Sequence, residues 1–99
     1  MKNTLKFVQK DNSNGSCDVF LNSREIDSCD MNFNDRYTQA HLVIASVWRT
    51  LATKEVAIEI IPSGGDIKPY PVENLKSMAN IFIDENFQDT MGYTRVYNI

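Results

Sequence analysis

The side chains best suited to chemistry in this 99-residue chain are a single histidine and two cysteines. His41, Cys17 and Cys29 could supply three zinc ligands, but their spacing resembles no common ligand pair and a fourth ligand is missing. A cysteine nucleophile needs a base within hydrogen-bond reach, and the carboxylates near both thiols would raise their pKa. We therefore predict no catalytic residue, no metal and no cofactor, and a non-enzymatic role over an enzymatic one.

A glycine-rich turn at 63–65 (Ser-Gly-Gly) follows an apolar, alternating segment. Such turns can hold phosphate through backbone N–H groups. This one does not lead straight into a helix, and no Lys-Ser or Lys-Thr pair follows it, so a strand-ending turn is the better interpretation.

Aromatic and basic side chains alternate near the carboxyl end of the chain. Tyr93, Arg95 and Tyr97 would share one face of a terminal strand over 93–99. Single-stranded nucleic-acid binders use such rows for base stacking. The net charge of −3 and pI of about 5.0 argue against nucleic acid as a partner, so a packing or protein-binding role is favoured.

The segment from Ser23 to Asn34 is polar and acidic, and we predict a surface loop there with at most a brief strand near 25–26. Together with the aromatic row it forms the predicted partner-binding surface: Glu25, Asp27, Asp30, Tyr93, Arg95 and Tyr97. The alternative function is a small-ligand-binding protein or minor enzyme with a pocket near His41. Polar-tipped residues among apolar ones would line that pocket: Cys17, His41, Trp48 and Tyr70.

A helix over 34–51 that runs into a strand over 55–61 would position these groups. Apolar residues recur at steps of three and four in the helix, from Tyr37 to Leu51, which keeps one face towards a neighbour. Leu42 and Val43 widen that face. In the strand, Val56, Ile58 and Ile60 alternate with Ala and Glu, as in a half-buried strand that packs on the helix.

The remaining patterns predict a hairpin over 5–22, a second helix from about 71 to 86 and the terminal strand. The element order is then β-β-α-β-α-β. We expect one α+β domain over 1–99, with a mainly antiparallel sheet of about four strands and both helices packed on one face. The helical crossovers would make some neighbouring strands parallel.

The amino terminus carries no apolar signal-peptide core, and no apolar run approaches the length of a membrane span. We therefore expect a cytoplasmic protein without membrane partners, whose cysteines are reduced. The wide apolar helix faces and the absence of a catalytic set favour a protein-interaction or regulatory module that binds a protein partner or forms a homodimer.

Overall fold

A four-stranded sheet in the order β3-β2-β1-β4 forms one layer of the structure. The computed structural model describes residues 2–10, 16–30, 39–62, 71–83 and 95–99. Their elements follow the chain in this order: β1 (Asn3–Gln9), β2 (Ser16–Leu21), β3 (Arg24–Asp30), α1 (Gln39–Leu51), β4 (Val56–Ile61) and α2 (Val72–Phe82). The predicted α+β class is confirmed, and the sheet is mixed: β1 pairs antiparallel with β2 and parallel with β4.

The predicted loop over 23–34 is wrong for its first part, because residues 24–30 form β3, which pairs antiparallel with β2. A two-residue turn joins the two strands, with positive φ at Asn22 (51°) and Ser23 (71°). Asn22 fastens this turn to β1: Thr4 donates its backbone N–H to Asn22 Oδ1 at 3.0 Å, and Asn22 Nδ2 donates to Asn3 Oδ1 at 2.7 Å. Residues 31–34 lie outside the described residues.

The predicted terminal strand is also wrong over residues 95–99, which are described and have no strand conformation. Tyr93 and Thr94 lie outside the described residues. The strand that completes the four-stranded sheet is therefore β3, and the described elements follow the order βββαβα instead of β-β-α-β-α-β. Two side chains of the segment 95–99, Arg95 and Tyr97, bond to β3 instead.

The alternation of apolar and polar residues directs one face of the sheet towards both helices. Inward residues of all four strands share a single core with the buried sides of α1 and α2; they include Leu5, Phe7, Cys17, Val19, Cys29, Val56 and Ile58. Glu59 on β4 is exposed, as the alternation predicts. The helices thus cover one face, and the opposite face carries half-buried residues of β1 and β2 and more exposed residues of β3 and β4.

The predicted wide apolar face of α1 is confirmed where the helix is described. Buried residues run from Ala40 to Trp48 with only Leu42 half-buried, so the helix is covered on more than one side. The helix ends in a Schellman motif: Thr53 donates its N–H to the carbonyl of Trp48 at 3.0 Å, and Ala52 takes the left-handed φ of 56°. The predicted start at Asn34 lies outside the described residues.

Among the described residues, neither helix is long and apolar enough to cross a bilayer.

Candidate functional site

Three of the six predicted partner-binding residues contact one another inside the molecule. Arg95 Nη1 lies 2.5 Å from Asp27 Oδ2, and the Tyr97 hydroxyl donates to the same oxygen at 2.8 Å. Asp27 projects from the edge strand β3 towards the helix side, opposite Val19 in the register. Its two partners follow it by 68 and 70 residues, so the contact fastens the segment 95–99 to the edge strand β3.

Partial burial and the contact with Asp27 change the pKa values of Arg95 and Tyr97. Burial alone would lower the pKa of Arg95, but the hydrogen bond and the negative charge of Asp27 raise it overall. Burial raises the pKa of Tyr97 well above its usual value, and the hydrogen bond to Asp27 and the negative charge of Asp27 raise it further. Arg95 and Tyr97 therefore keep their protons at neutral pH and hold the Asp27 carboxylate as structural partners.

A glutamine extends the cluster to the first turn of α1. Gln39 Oε1 accepts the backbone N–H of Asp30 at 3.1 Å and lies 3.3 Å from Arg95 Nη2. The side chains of Glu25 and Asp30 are exposed on β3. Tyr93, the sixth predicted residue, lies outside the described residues.

The four residues of the predicted pocket do not form a described cavity together. Cys17, His41 and Trp48 are all buried in the core, at 0%, 1% and 3% exposure. Trp48 lines a cavity of about 380 Å³ with Arg49, Thr53 and Ile83 among its neighbours, and neither His41 nor Cys17 belongs to its described lining. Tyr70 lies outside the described residues.

Burial changes the ionisation of the core groups in the direction that opposes catalysis. Burial lowers the pKa of His41 to about 4, so the imidazole is neutral at physiological pH. Burial and the negative charges of Asp18 and Asp30 raise the pKa of Cys17 to about 11. Burial and the neighbouring Cys17 raise the pKa of Cys29 to about 12. Within the described ranges, no three His, Cys, Asp or Glu side chains are grouped closely enough to hold a metal ion.

A groove on the sheet face opposite the helices is the larger of the two described cavities. It has a volume of about 780 Å³, within the usual range for ligand sites, and its lining comes from β1, β2, the Asn22–Ser23 turn and β4. The lining residues are Lys2, Asn3, Thr4, Lys6, Val8, Phe20, Asn22, Ser23 and Glu59. We call this surface the open-face groove.

The open-face groove combines apolar and basic side chains. Phe20 lies beside Lys6 in the β1–β2 register and is half-buried. Lys6 Nζ lies 4.0 Å from Glu59 Oε2, and 43% and 51% of these side chains are exposed, so the ion pair is weak. These residues are not among those predicted from the sequence, although the alternation in β1 and β2 indicates that Lys6, Val8 and Phe20 share the outer face.

Comparisons of the chain with protein-family models, with curated proteins and with solved structures found no match, so the site is interpreted from its own geometry.

Proposed function

We propose that this protein is a non-enzymatic binding module that holds an acidic, partly apolar segment of a partner protein in the open-face groove. The observation that carries the proposal is the groove itself, a concave surface of about 780 Å³ on the sheet face opposite the helices. A sheet with one covered and one uncovered face ordinarily presents polar residues to solvent. Here no described element covers the face opposite the helices, and that face presents Phe20 and Val8 within a concave, partly basic surface, which favours a binding role.

The lining favours a polypeptide segment as the ligand. Phe20 and Val8 offer apolar area for one side chain, and Asn3, Thr4 and Asn22 supply polar groups at one end of the groove. Apolar area beside polar groups is typical of protein interfaces. The groove also extends to β4, the strand at one edge of the sheet, where an extended segment can align with the sheet.

Charge supports an acidic segment. The groove lining includes Lys2 and Lys6 against the single carboxylate of Glu59, a balance of +1, whereas the whole chain carries −3. A basic groove on an acidic protein attracts a carboxylate locally while the rest of the surface repels it. This difference guides the orientation of an approaching acidic segment.

The ionisation of the core supports a binding role over catalysis. His41 is a neutral, buried imidazole, and the pKa of each cysteine thiol is raised to about 11 or 12. A reactive cysteine requires the opposite shift, and a general base works best with a pKa near the operating pH.

Selection from a random displayed peptide library against the immobilised full-length protein tests the proposal. We expect the selected peptides to combine Asp or Glu with a large apolar residue. Phe20→Ala and Lys6→Ala should each weaken their binding about tenfold, which corresponds to about 1.4 kcal/mol. The measurement is a titration of a labelled peptide, after thermal denaturation has shown that each variant is folded.

Lys54→Ala is the matched control, because Lys54 is an exposed lysine that lines the cavity beside Trp48 and not the open-face groove. This variant should bind the peptides as the unchanged protein does. Selection of peptides without acidic residues would contradict the proposal, as would Phe20→Ala and Lys6→Ala variants that bind the peptides as tightly as the unchanged protein does. A metabolite panel that stabilises the protein while no peptide binds would support a small-molecule ligand instead.

A further inference from the structure

The two cysteines lie directly opposite each other on neighbouring strands. Cys17 on β2 and Cys29 on β3 are partners in the antiparallel register, and both are buried, at 0% and 4% exposure. Directly opposite residues point to the same face of a sheet. Both thiols therefore belong to the core side, and they are not joined by a disulfide.

The hydrogen bonds of β2 identify the type of this pair. The N–H of Lys10 donates to the carbonyl of Ser16 at 3.0 Å, and the N–H of Asn22 donates to the carbonyl of Thr4 at 3.0 Å. Ser16 and Asn22 thus bond towards β1, and alternate residues such as Cys17 direct their backbone groups towards β3. Cys17 and Cys29 are therefore a hydrogen-bonded pair, with Cα atoms about 5.5 Å apart, as in antiparallel ladders generally.

The Cα separation lies within the range of about 4.4 to 6.8 Å that a disulfide needs, whereas the Cβ atoms of such a pair lie about 5.5 Å apart and must approach to about 4.5 Å. Side chains diverge more in hydrogen-bonded pairs than in the other type, so closing the bond requires some local twisting of the strands. The strain makes such a disulfide easier to reduce than a structural one. A bond formed here is thus reversible.

We propose that Cys17 and Cys29 are a redox modification site, at which a small-molecule disulfide converts the dithiol into a reversible intramolecular disulfide. This inference is independent of the proposed binding function, because both residues lie on the core side of the sheet and not in the open-face groove. The bond would link the edge strand β3, which carries Asp27, covalently to the inner strand β2.

The reaction balances in two exchange steps. The Cys29 thiolate, on the edge strand, attacks one sulfur of the small disulfide, and a mixed disulfide forms while one small thiol leaves. The Cys17 thiolate then attacks Cys29 Sγ, and the second small thiol leaves. The protein pair loses two electrons and two protons, and the two small thiols released gain them.

Burial makes this exchange slow at neutral pH. The pKa of both thiols is raised, chiefly by burial, so the thiolate is a minor species. The reaction needs a brief opening of β3, and edge strands open more readily than inner ones. The experiment should therefore measure the equilibrium constant between the dithiol and the disulfide, and not the initial rate of oxidation.

The test equilibrates the folded full-length protein with mixtures of reduced and oxidised glutathione. The samples are then acid-quenched, alkylated and weighed by mass spectrometry. We expect a monomeric chain that has lost two hydrogens and carries no glutathione, and its return to the dithiol in excess reduced glutathione. Two alkylated thiols throughout, or a stable glutathione adduct, would overturn the proposal.

A double variant supplies the matched control. Ser28→Cys combined with Cys29→Ser moves the thiol by one residue and so to the other face of β3. Under folding conditions its equilibrium constant for disulfide formation should be at least about tenfold lower, whereas in denaturant the two proteins should behave alike. Equal oxidation of the two folded proteins would show that the unfolded chain makes the bond, and would overturn the proposal.

The single variant Cys17→Ser gives a second control that does not depend on the folding of the first. It retains the attacking thiol and lacks the resolving one, so it should stop at the glutathione adduct of Cys29. The absence of any adduct would contradict the proposed first step.

Discussion

His41 is a titratable group held in the core by α1. It is 1% exposed, and its ring is stacked on Phe82 of α2 with centroids 6.3 Å apart. Its position fits the three-to-four spacing of the apolar face of α1, and the side chain is buried with that face. The spacing could not show that Phe82 is its neighbour, because that contact depends on how the two helices cross.

The lowered pKa of His41 predicts a loss of stability in mild acid. The pKa is 6.5 in the unfolded chain and about 4 in the folded protein, so between these values only the unfolded state binds the proton. The contribution of His41 is therefore complete above pH 6.5 and is lost as the pH falls towards 4. Urea denaturation at pH 7 and pH 4 should show a His41-dependent loss of up to about 3 kcal/mol in the free energy of unfolding.

His41→Gln separates this effect from that of the carboxylates, which also titrate in acid. The variant should be less stable at pH 7 because it changes a packed core residue, but its stability should fall less between pH 7 and pH 4 than that of the unchanged protein. Parallel pH profiles for the two proteins would contradict the assignment.

At the scale of elements, five of the six were predicted from the sequence, and β3 was missed. Strands β1, β2 and β4 alternate apolar and polar residues, and the helices repeat every three to four, so each carries the signature of a half-buried element. β3 is an edge strand with four acids and bases among seven residues, and Cys29 is its only fully buried side chain. Its stability comes from pairing with β2, which no local pattern records.

The turn before β3, Asn22-Ser23, is the local sequence feature that could have predicted a hairpin between β2 and β3. Two-residue hairpin turns with positive φ at both positions favour Asn followed by Gly. Here Asn22 fits the first position and is held by β1, but Ser23 takes a φ of 71° with a side chain that disfavours it. The Asn-Ser pair is therefore a weak form of a strong hairpin motif.

Ser23→Gly should stabilise the protein. Glycine adopts positive φ without the steric cost of a Cβ atom, and this gain exceeds its larger entropy loss on folding, for a net gain of about 0.5 kcal/mol. The midpoint of chemical denaturation should rise with an unchanged slope. Ser28→Gly, the same substitution within β3, should lower the midpoint instead, and a similar effect at both positions would contradict the turn assignment.

At the scale of the whole molecule, the segment 95–99 connects to the edge strand β3 through Asp27. Asp27 and Arg95 are separated by 68 residues, so nothing in the local pattern of either residue predicts their contact. The residue types of Asp27, Arg95 and Tyr97 predict that they bind an external partner, and that role stays a prediction. What the structure adds is that these side chains bind one another over the helix side of β3.

Deletion of residues 95–99 should therefore lower the free energy of unfolding, because it removes the partners of a partly buried charge as well as five residues. The Asp27 carboxylate, whose side chain is 20% exposed, would lose Arg95 and the Tyr97 hydroxyl while still partly excluded from water. We expect a loss of about 2 kcal/mol in the free energy of unfolding, the usual order for a buried charge left without its partner. Amide hydrogen exchange should accelerate in β3 and remain slow in β1, because β1 lies inside the sheet.

A second substitution distinguishes the lost ion pair from simple loss of covering surface. In the full-length protein, Asp27→Asn removes the charge that Arg95 needs and should destabilise. In the shortened chain the same substitution removes an uncompensated carboxylate, and its effect should be neutral or stabilising. Because the two sites are in direct contact, their effects need not add, and the change of sign measures the coupling between them. Equal destabilisation by Asp27→Asn in both backgrounds would mean that the segment acts by coverage alone and that Asp27 is held by other groups.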